Sequence, residues 1–262
     1  MQAMNNDLVS IVMLSSNGGQ YVEETVKSVL AQTYQNWELL FVDDNSRDDT
    51  VSKMMELKGN DRRIKISQTV VKRGTSANRN GALREAHGRW IAFLDTGDVW
   101  APDKLEKQIA FMEANGYAFT YTEYGLMDEA SKDRGVQVSG KEHITYQDML
   151  KCCWPAYMTV MYDAQKIGRV QVQNFTKNND YALWLYVSKK AACHLLKENL
   201  AMLRTSRGRY GRFLMTDKLK WRYEVYQVEE GLNPFTSFFY TIRNGWFGIK
   251  KWMNYVKKSN IR

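Results

Sequence analysis

Three apolar runs, each the length of one β-strand, stop abruptly in polar clusters. Residues 8–14 (LVSIVML) run into Ser15-Ser16-Asn17-Gly18-Gly19. Residues 37–42 (WELLFV) run into Asp43-Asp44-Asn45-Ser46, and residues 90–94 (WIAFL) into Asp95-Thr96-Gly97-Asp98. Between them the apolar residues recur at helical spacing: at 21–32, with Val22, Val26, Val29 and Leu30 on one face, at 50–57 and at 77–86. Residues 64–66 read as a weak strand, 104–114 as a helix and 117–122 as a strand. Near-continuous apolar strands separated by helices predict an α/β chain. Its sheet should be parallel and covered on both faces.

In such a sheet, ligands bind outside the carboxyl ends of the strands. All three polar clusters should line that one edge. A single polar cluster at a strand end is an ordinary turn. Three together, two of them acidic, point to a site. Carboxylates repel phosphates unless they hold a divalent cation, and hard oxygen ligands suit Mg2+ or Mn2+. They also accept hydrogen bonds from ribose hydroxyls and base N–H groups. No GxxxxGK[ST] appears, and Gly18-Gly19 does not extend to GxGxxG, so the usual glycine cradles for phosphate are missing. Arg73 and Arg79 are the nearest cations.

The chain has 262 residues, 44% of them hydrophobic, enough for a sizeable core. Cys152, Cys153 and Cys193 are expected to be reduced thiols in a cytosolic protein. No secretory leader is expected, and no run reaches the ~20 apolar residues of a transmembrane helix. His87, His143 and His194 are scattered and read as structural. The net charge of +8 is concentrated at the end: residues 203–262 hold 13 Lys/Arg against 4 Asp/Glu. Such a region suits an anionic membrane. Nucleic acid is not expected, because no recognised binding motif accompanies the charge.

Here the residues resemble a family, the family 2 glycosyltransferases with the GT-A fold, of the bacterial polysaccharide and lipopolysaccharide type. The similar segments are SIVMLSSNGGQYVEETVKSVLAQTYQNWELLFVDDNSRDDT, TSANRNGALREAHGRWIAFLDTGDVWAPDKLEKQIAFME and NNDYALWL, spread in the family's order over roughly the first 200 residues. The resemblance implies a Rossmann-like, mostly parallel central sheet flanked by helices, with a C-terminal helical tail. It implies a catalytic domain over 1–202, with a nucleotide-sugar half (1–122) and an acceptor half (123–202), followed by a basic aromatic region (203–262). Ser15, Asn17, Asp43, Asp44, Arg79 and Asp95 would then bind the nucleotide, Asp43 and Asp44 at the base and Asp95 at the ribose and metal. Residues 154–161 would lie near the acceptor, although a core strand accounts for them equally well.

One position departs from the family's Asp-x-Asp-Asp pattern: Gly97 stands where the metal ligand is usual. Either Asp98 takes the cation, or Asp95 holds it with water, and glycine also serves a turn by permitting positive φ. Inverting transfer needs a general base, and the family's Glu-Asp pair corresponds to Asn179-Asp180. Asp180 is therefore the expected base, with a helix N-cap as the plainer alternative. The expected reaction moves a sugar from a nucleotide-sugar, UDP-linked by default, to a glycan or lipid-linked acceptor. A second reading is a glycosyltransferase-like protein that binds nucleotide without catalysis. A nucleotidyltransferase would need a phosphate loop that is not found.

The tail repeats apolar residues at helical spacing: Phe235, Phe238, Phe239, Ile242, Trp246, Ile249, Met253 and Val256. Arg243, Lys250, Lys251, Lys257 and Lys258 lie beside or opposite them. Residues 234–262 are expected either to lie on an anionic bilayer or to dock on the protein's own core. The first places the protein in the cytoplasm, peripheral to the inner face of the cell membrane.

Overall fold

The computed structural model describes residues 5–173, 179–205 and 215–258. The chain opens with β1 (Asn5–Ser15), α1 (Val22–Leu30), β2 (Trp37–Asp43), α2 (Thr50–Lys58), β3 (Ile64–Gln68), α3 (Thr75–Glu85) and β4 (Gly88–Asp95). A short β5 (Val99–Trp100) leads into α4 (Lys104–Asn115), β6 (Phe119–Met127), β7 (Asp133–Val138), β8 (His143–Ile144) and α5 (Tyr146–Lys151). A 3-10 turn at Tyr157–Thr159 precedes β9 (Met161–Asp163), α6 (Ala164–Ile167), α7 (Asn179–Ser188) and β10 (Cys193–Arg204). Then come α8 (Met215–Val228), α9 (Pro234–Tyr255) and β11 (Val256–Lys258).

The parallel part of the sheet has the order β4-β1-β2-β3. In β4, β1 and β2 both faces are buried, which explains their apolar runs without alternation; β3 (IKISQ), at the edge, is largely exposed and alternates. Val12 of β1 with Ile91 and Phe93 of β4 face one core. Val9, Ile11 and Met13 with Trp90, Ala92 and Leu94 face the other. The polar exception in β2, Glu38, is satisfied by Ser10 Oγ (2.6 Å), Lys65 Nζ (2.7 Å) and the His87 N–H (2.7 Å). Burial alone pushes its carboxyl up, but these donors outweigh that and hold it below the usual range.

Beyond β4 the sheet becomes mixed. β9 runs antiparallel to both β4 and β6, β7 pairs antiparallel with β6, and β10 lies parallel to β6. Short connections such as the β6–β7 turn permit only antiparallel pairing, because a parallel partner needs a long crossover.

The end of the chain is sewn to this body. The boundary expected after residue 202 falls inside β10, which runs on to Arg204. Tyr226 of α8 donates through its hydroxyl to the Leu150 carbonyl (2.7 Å) and meets the Tyr181 hydroxyl at 2.9 Å. Asn244 of α9 donates to both tyrosine oxygens, at 3.0 and 3.2 Å. β11 closes the far edge by pairing with β7.

Candidate active site

The register places the three polar clusters side by side. Ser15 is the partner of Asp43 across β1 and β2, and Leu14 is the partner of Asp95 across β1 and β4. Gly18 packs into this edge so closely that a Cβ there would meet Thr96 Cγ2 at 2.5 Å and Ser15 Oγ at 2.6 Å. The sequence pair Gly18-Gly19 is thus a close-approach device, not a phosphate loop.

Most polar groups on this edge hold one another. The exposed Asn17 adopts φ +52° and ties two loops, donating its N–H to Ser46 Oγ (2.7 Å) and accepting the Arg47 N–H at Oδ1 (2.9 Å). Asp43 is fully buried and accepts the Ser46 N–H (2.8 Å) and the Ser46 hydroxyl. Asp44 accepts the N–H groups of Arg73 (2.8 Å) and Gly74 (3.3 Å) and the Thr69 hydroxyl (3.3 Å). Burial pushes the Asp44 carboxyl up, yet these donors and the Asn78 side chain hold it below its ordinary value. Asp44 thereby pins the loop that leads into α3.

The two candidate arginines part here. Arg73 is exposed, and its backbone serves Asp44. Arg79 is 3% exposed, donates through Nε to the Tyr157 hydroxyl (3.2 Å), and stacks 4.5 Å from that ring's centroid. Its Nη1 is buried with no hydrogen-bond partner. Burial opposes its charge, but Tyr157, Asp180 and Asp95 outweigh that and hold the guanidinium above its ordinary value. Arg79 therefore feels both Asp95, from the end of β4, and Asp180, from the first turn of α7. Three distant segments deliver one charged cluster. Asp180 is half-buried and stands second in α7, within the helix rather than ahead of it. Asn178 lies outside the described residues.

Comparison with known proteins settles what this arrangement belongs to. Residues 10–172 match the model of glycosyl transferase family 2. This chain belongs to glycosyl transferase family 2. It is 39% identical over 183 residues to the putative teichuronic acid biosynthesis glycosyltransferase TuaG of Bacillus subtilis, covering 70% of this chain and 73% of that one. It is 39% identical over 190 residues to the UDP-Glc:alpha-D-GlcNAc-diphosphoundecaprenol beta-1,3-glucosyltransferase WfgD of Escherichia coli, covering 71% and 72%. The fold superimposes on S. aureus TarS 1–349, solved in complex with UDP-GlcNAc. The TM-score is 0.68 at 17% identity, over 87% of this chain and 69% of that one. The chain is a glycosyltransferase with the GT-A fold.

In this transferase the loop after β4 is organised by a residue that sequence reading missed. Arg204, 4% exposed at the end of β10, donates Nε to the Gly97 carbonyl (2.8 Å), Nη1 to the Asp128 carbonyl (3.1 Å), and Nη2 to Glu24. Its backbone N–H donates to Asp98 Oδ1 (3.0 Å), and Asp98 is 5% exposed. Asp98, expected as a cation ligand, thus ties the loop to β10 through Oδ1. Gly97 has φ +114°, a conformation that favours glycine, and its N–H donates to Thr25 Oγ1 (3.0 Å). No local pattern marks Arg204: it closes an ordinary strand, LAMLR.

These facts bear on a divalent ion. No cluster of three or more His, Cys, Asp or Glu suited to an ion occurs among the described residues. Asp95 stands half-buried at the end of β4. Mg2+ sites of substrate phosphates need only one or two carboxylates, with water and the phosphates completing the shell. The donor set therefore fits an ion that arrives with a diphosphate, not one caged by the chain.

Proposed function

We propose that this enzyme is an inverting glycosyltransferase that moves a sugar from a UDP-sugar to the hydroxyl of a lipid-linked or glycan acceptor. The single observation behind this reading is that Asp95 and Asp180, from two separate segments, both come within electrostatic reach of the buried Arg79 of a third. The WfgD relative, whose name gives a UDP-glucose donor and a diphosphoundecaprenol acceptor, supports the choice of substrates.

In this reading Asp43 and Asp44 shape the base end, with Ser15 and Asn17 framing it. Asp95 holds the ribose and, with water, an Mg2+ or Mn2+ ion that would add positive charge beside the diphosphate. Asp98 is assigned to the loop, not to the ion. Asp180 takes the proton of the acceptor hydroxyl as that oxygen attacks the anomeric carbon from the face opposite the departing UDP. Arg79 sets a positive charge within electrostatic reach of Asp180 and Asp95.

The tail supports a lipid surface. Among the described residues no helix is long and apolar enough to cross a membrane. α9 is instead turned inside out. Ser237, Thr241 and Asn244 form its buried face. Phe235, Phe238, Phe239, Ile242, Trp246, Ile249, Trp252 and Met253 are 51–84% exposed. Residues 259–262 of the expected tail lie outside the described residues. An outward apolar face with the exposed Lys250, Lys257 and Lys258 nearby fits the headgroup region of an anionic bilayer, whereas Lys251 donates inward to the Cys153 and Trp154 carbonyls. On this reading the enzyme works at the inner face of the cell membrane, where a lipid-linked acceptor would be met.

Two measurements test the proposal. A screen of nucleotide-sugars for slow hydrolysis, with and without Mn2+, should single out a UDP-sugar; hydrolysis of none, with weak metal-independent UDP binding, would favour a non-catalytic binder. Vesicles containing anionic lipid should retain the protein at low salt and release it as salt rises, since screening shortens the reach of exposed charge to ~8 Å at physiological ionic strength. A protein lacking residues 234–262 that binds them equally well would refute the membrane role.

A further inference from the structure

A second arginine completes this site from the C-terminal region. Arg222 of α8 places its guanidinium carbon 3.9 Å from the centroid of the Tyr181 ring, the residue after Asp180. Its Nη1 is buried and has no hydrogen-bond partner, the same condition as Nη1 of Arg79. The residue as a whole is half-buried, so part of it stays open to solvent. Arg222 and Arg79 both interact electrostatically with Asp180. Each stacks on a tyrosine that fixes its plane: Arg79 on Tyr157, Arg222 on Tyr181.

Two such N–H groups on one site call for an explanation. A buried donor on a charged group is costly to leave unmatched, and native proteins rarely leave one so without a ligand or water to meet it. A planar guanidinium matches phosphate oxygens in a fork that lysine cannot reproduce. The chemistry of the rest of the site points the same way. Gly97 supplies no carboxylate, Asp98 Oδ1 accepts the Arg204 N–H, and the sequence holds no glycine cradle, so among the described residues a diphosphate calls for cationic partners such as these arginines.

We infer that Arg222 binds the donor's diphosphate together with Arg79, so that α8 supplies part of the active site. This rests on the reading of a UDP-sugar donor. During transfer the acceptor oxygen forms its bond to the anomeric carbon while the bond from that carbon to the phosphate oxygen breaks. The electron pair leaves on the phosphate oxygen of UDP, and the acceptor proton passes to Asp180. The Arg222 N–H groups donate hydrogen bonds to the diphosphate as it takes up that charge, and no proton leaves the guanidinium.

The test measures binding of UDP and of uridine to the full-length protein, by calorimetry and ligand NMR, in EDTA and in Mn2+. For Arg222→Gln, UDP affinity should fall about tenfold or more, in EDTA as well as in Mn2+, consistent with loss of a charge-assisted contact. Uridine affinity should not change, because uridine has no phosphate, and Arg222→Lys should recover part of the loss. A merely structural Arg222 would weaken UDP and uridine alike, and that result would overturn the inference. So would unchanged UDP affinity in Arg222→Gln. A wild-type protein that binds UDP no better than uridine would instead bring down the donor reading, and this inference with it.

Discussion

The carboxyl edge of the sheet and the α7–α8 side of the cleft handle polar groups in opposite ways. At the sheet edge, Asn17, Asp43, Asp44 and Asp98 bond to neighbouring loops, and little of their hydrogen-bonding capacity is left over. Around α7, Arg222 of α8 and Arg79, which belongs to α3, each keep an unmatched Nη1 and share the field of Asp180. The edge is built before the substrate arrives. The other side is left incomplete, and its balance must come from what binds. Rigid support behind a first layer of reactive groups is what precise positioning requires. Ser15 is the exception on the edge, with a buried Oγ that has no partner.

The sharpest way to break this comparison is Asp180→Asn. Asparagine keeps the shape and still suits a helix start, but it cannot take a proton. Transfer should fall by about 10²–10⁴-fold, the usual worth of a general base, while UDP affinity stays nearly intact. A fall of less than about tenfold would lie outside that range and leave the base unidentified.

Asp98→Ala probes the edge side with a smaller effect. The carboxylate serves a buried backbone N–H, so its removal should cost about 1–3 kcal/mol of stability through an unmatched donor. Chemical denaturation reads that loss. The Mn2+ concentration for half-maximal rate should stay where it is. A large rise in that requirement would return Asp98 to the ion and dissolve the distinction drawn between it and Asp95.

The legible parts of this molecule are those where one physical rule acts alone. The parallel strands were visible because two buried faces demand unbroken apolar runs, as in WIAFL. The site edge followed from their common direction, and Asp43, Asp44 and Asp95 do share it. The mixed half was not legible: β9 is three residues long, and its antiparallel pairing is decided by tertiary contacts. Arg204 and Arg222 were missed for a different reason. Each acts across a large sequence separation, Arg204 on Gly97 and Arg222 beside Tyr181, and nothing in their own neighbourhoods records it. In the tail, the helical spacing was readable. Its outward orientation followed only once Ser237, Thr241 and Asn244 were seen to take the buried face.

Unmatched burial by itself does not mark a catalytic group, and Lys104 tests that limit. It is fully buried in the first turn of α4, its Nζ has no hydrogen-bond partner, and it lies 4.0 Å from the centroid of the Trp100 ring. Unlike Arg79 and Arg222, it has no shift in its charge traced to Asp180 or Asp95; burial alone pulls its pKa down to about 7. An unfolded lysine titrates near ~10.4. Between those two values the unfolded chain binds more protons than the folded one, so stability should rise with pH across that window. The slope can reach about 1.4 kcal/mol per pH unit and should vanish below the folded value, where both states are protonated. Lys104→Met keeps the length, removes the charge, and should flatten this part of the profile. Urea unfolding at pH 7, 8 and 9 gives both profiles, and the transfer rate at pH 8 should be the same for the two proteins. Identical pH slopes would mean that Lys104 stays charged in the fold. A large loss of transfer without loss of stability would move Lys104 into the site and show that the cleft's unmatched charges extend beyond its two arginines.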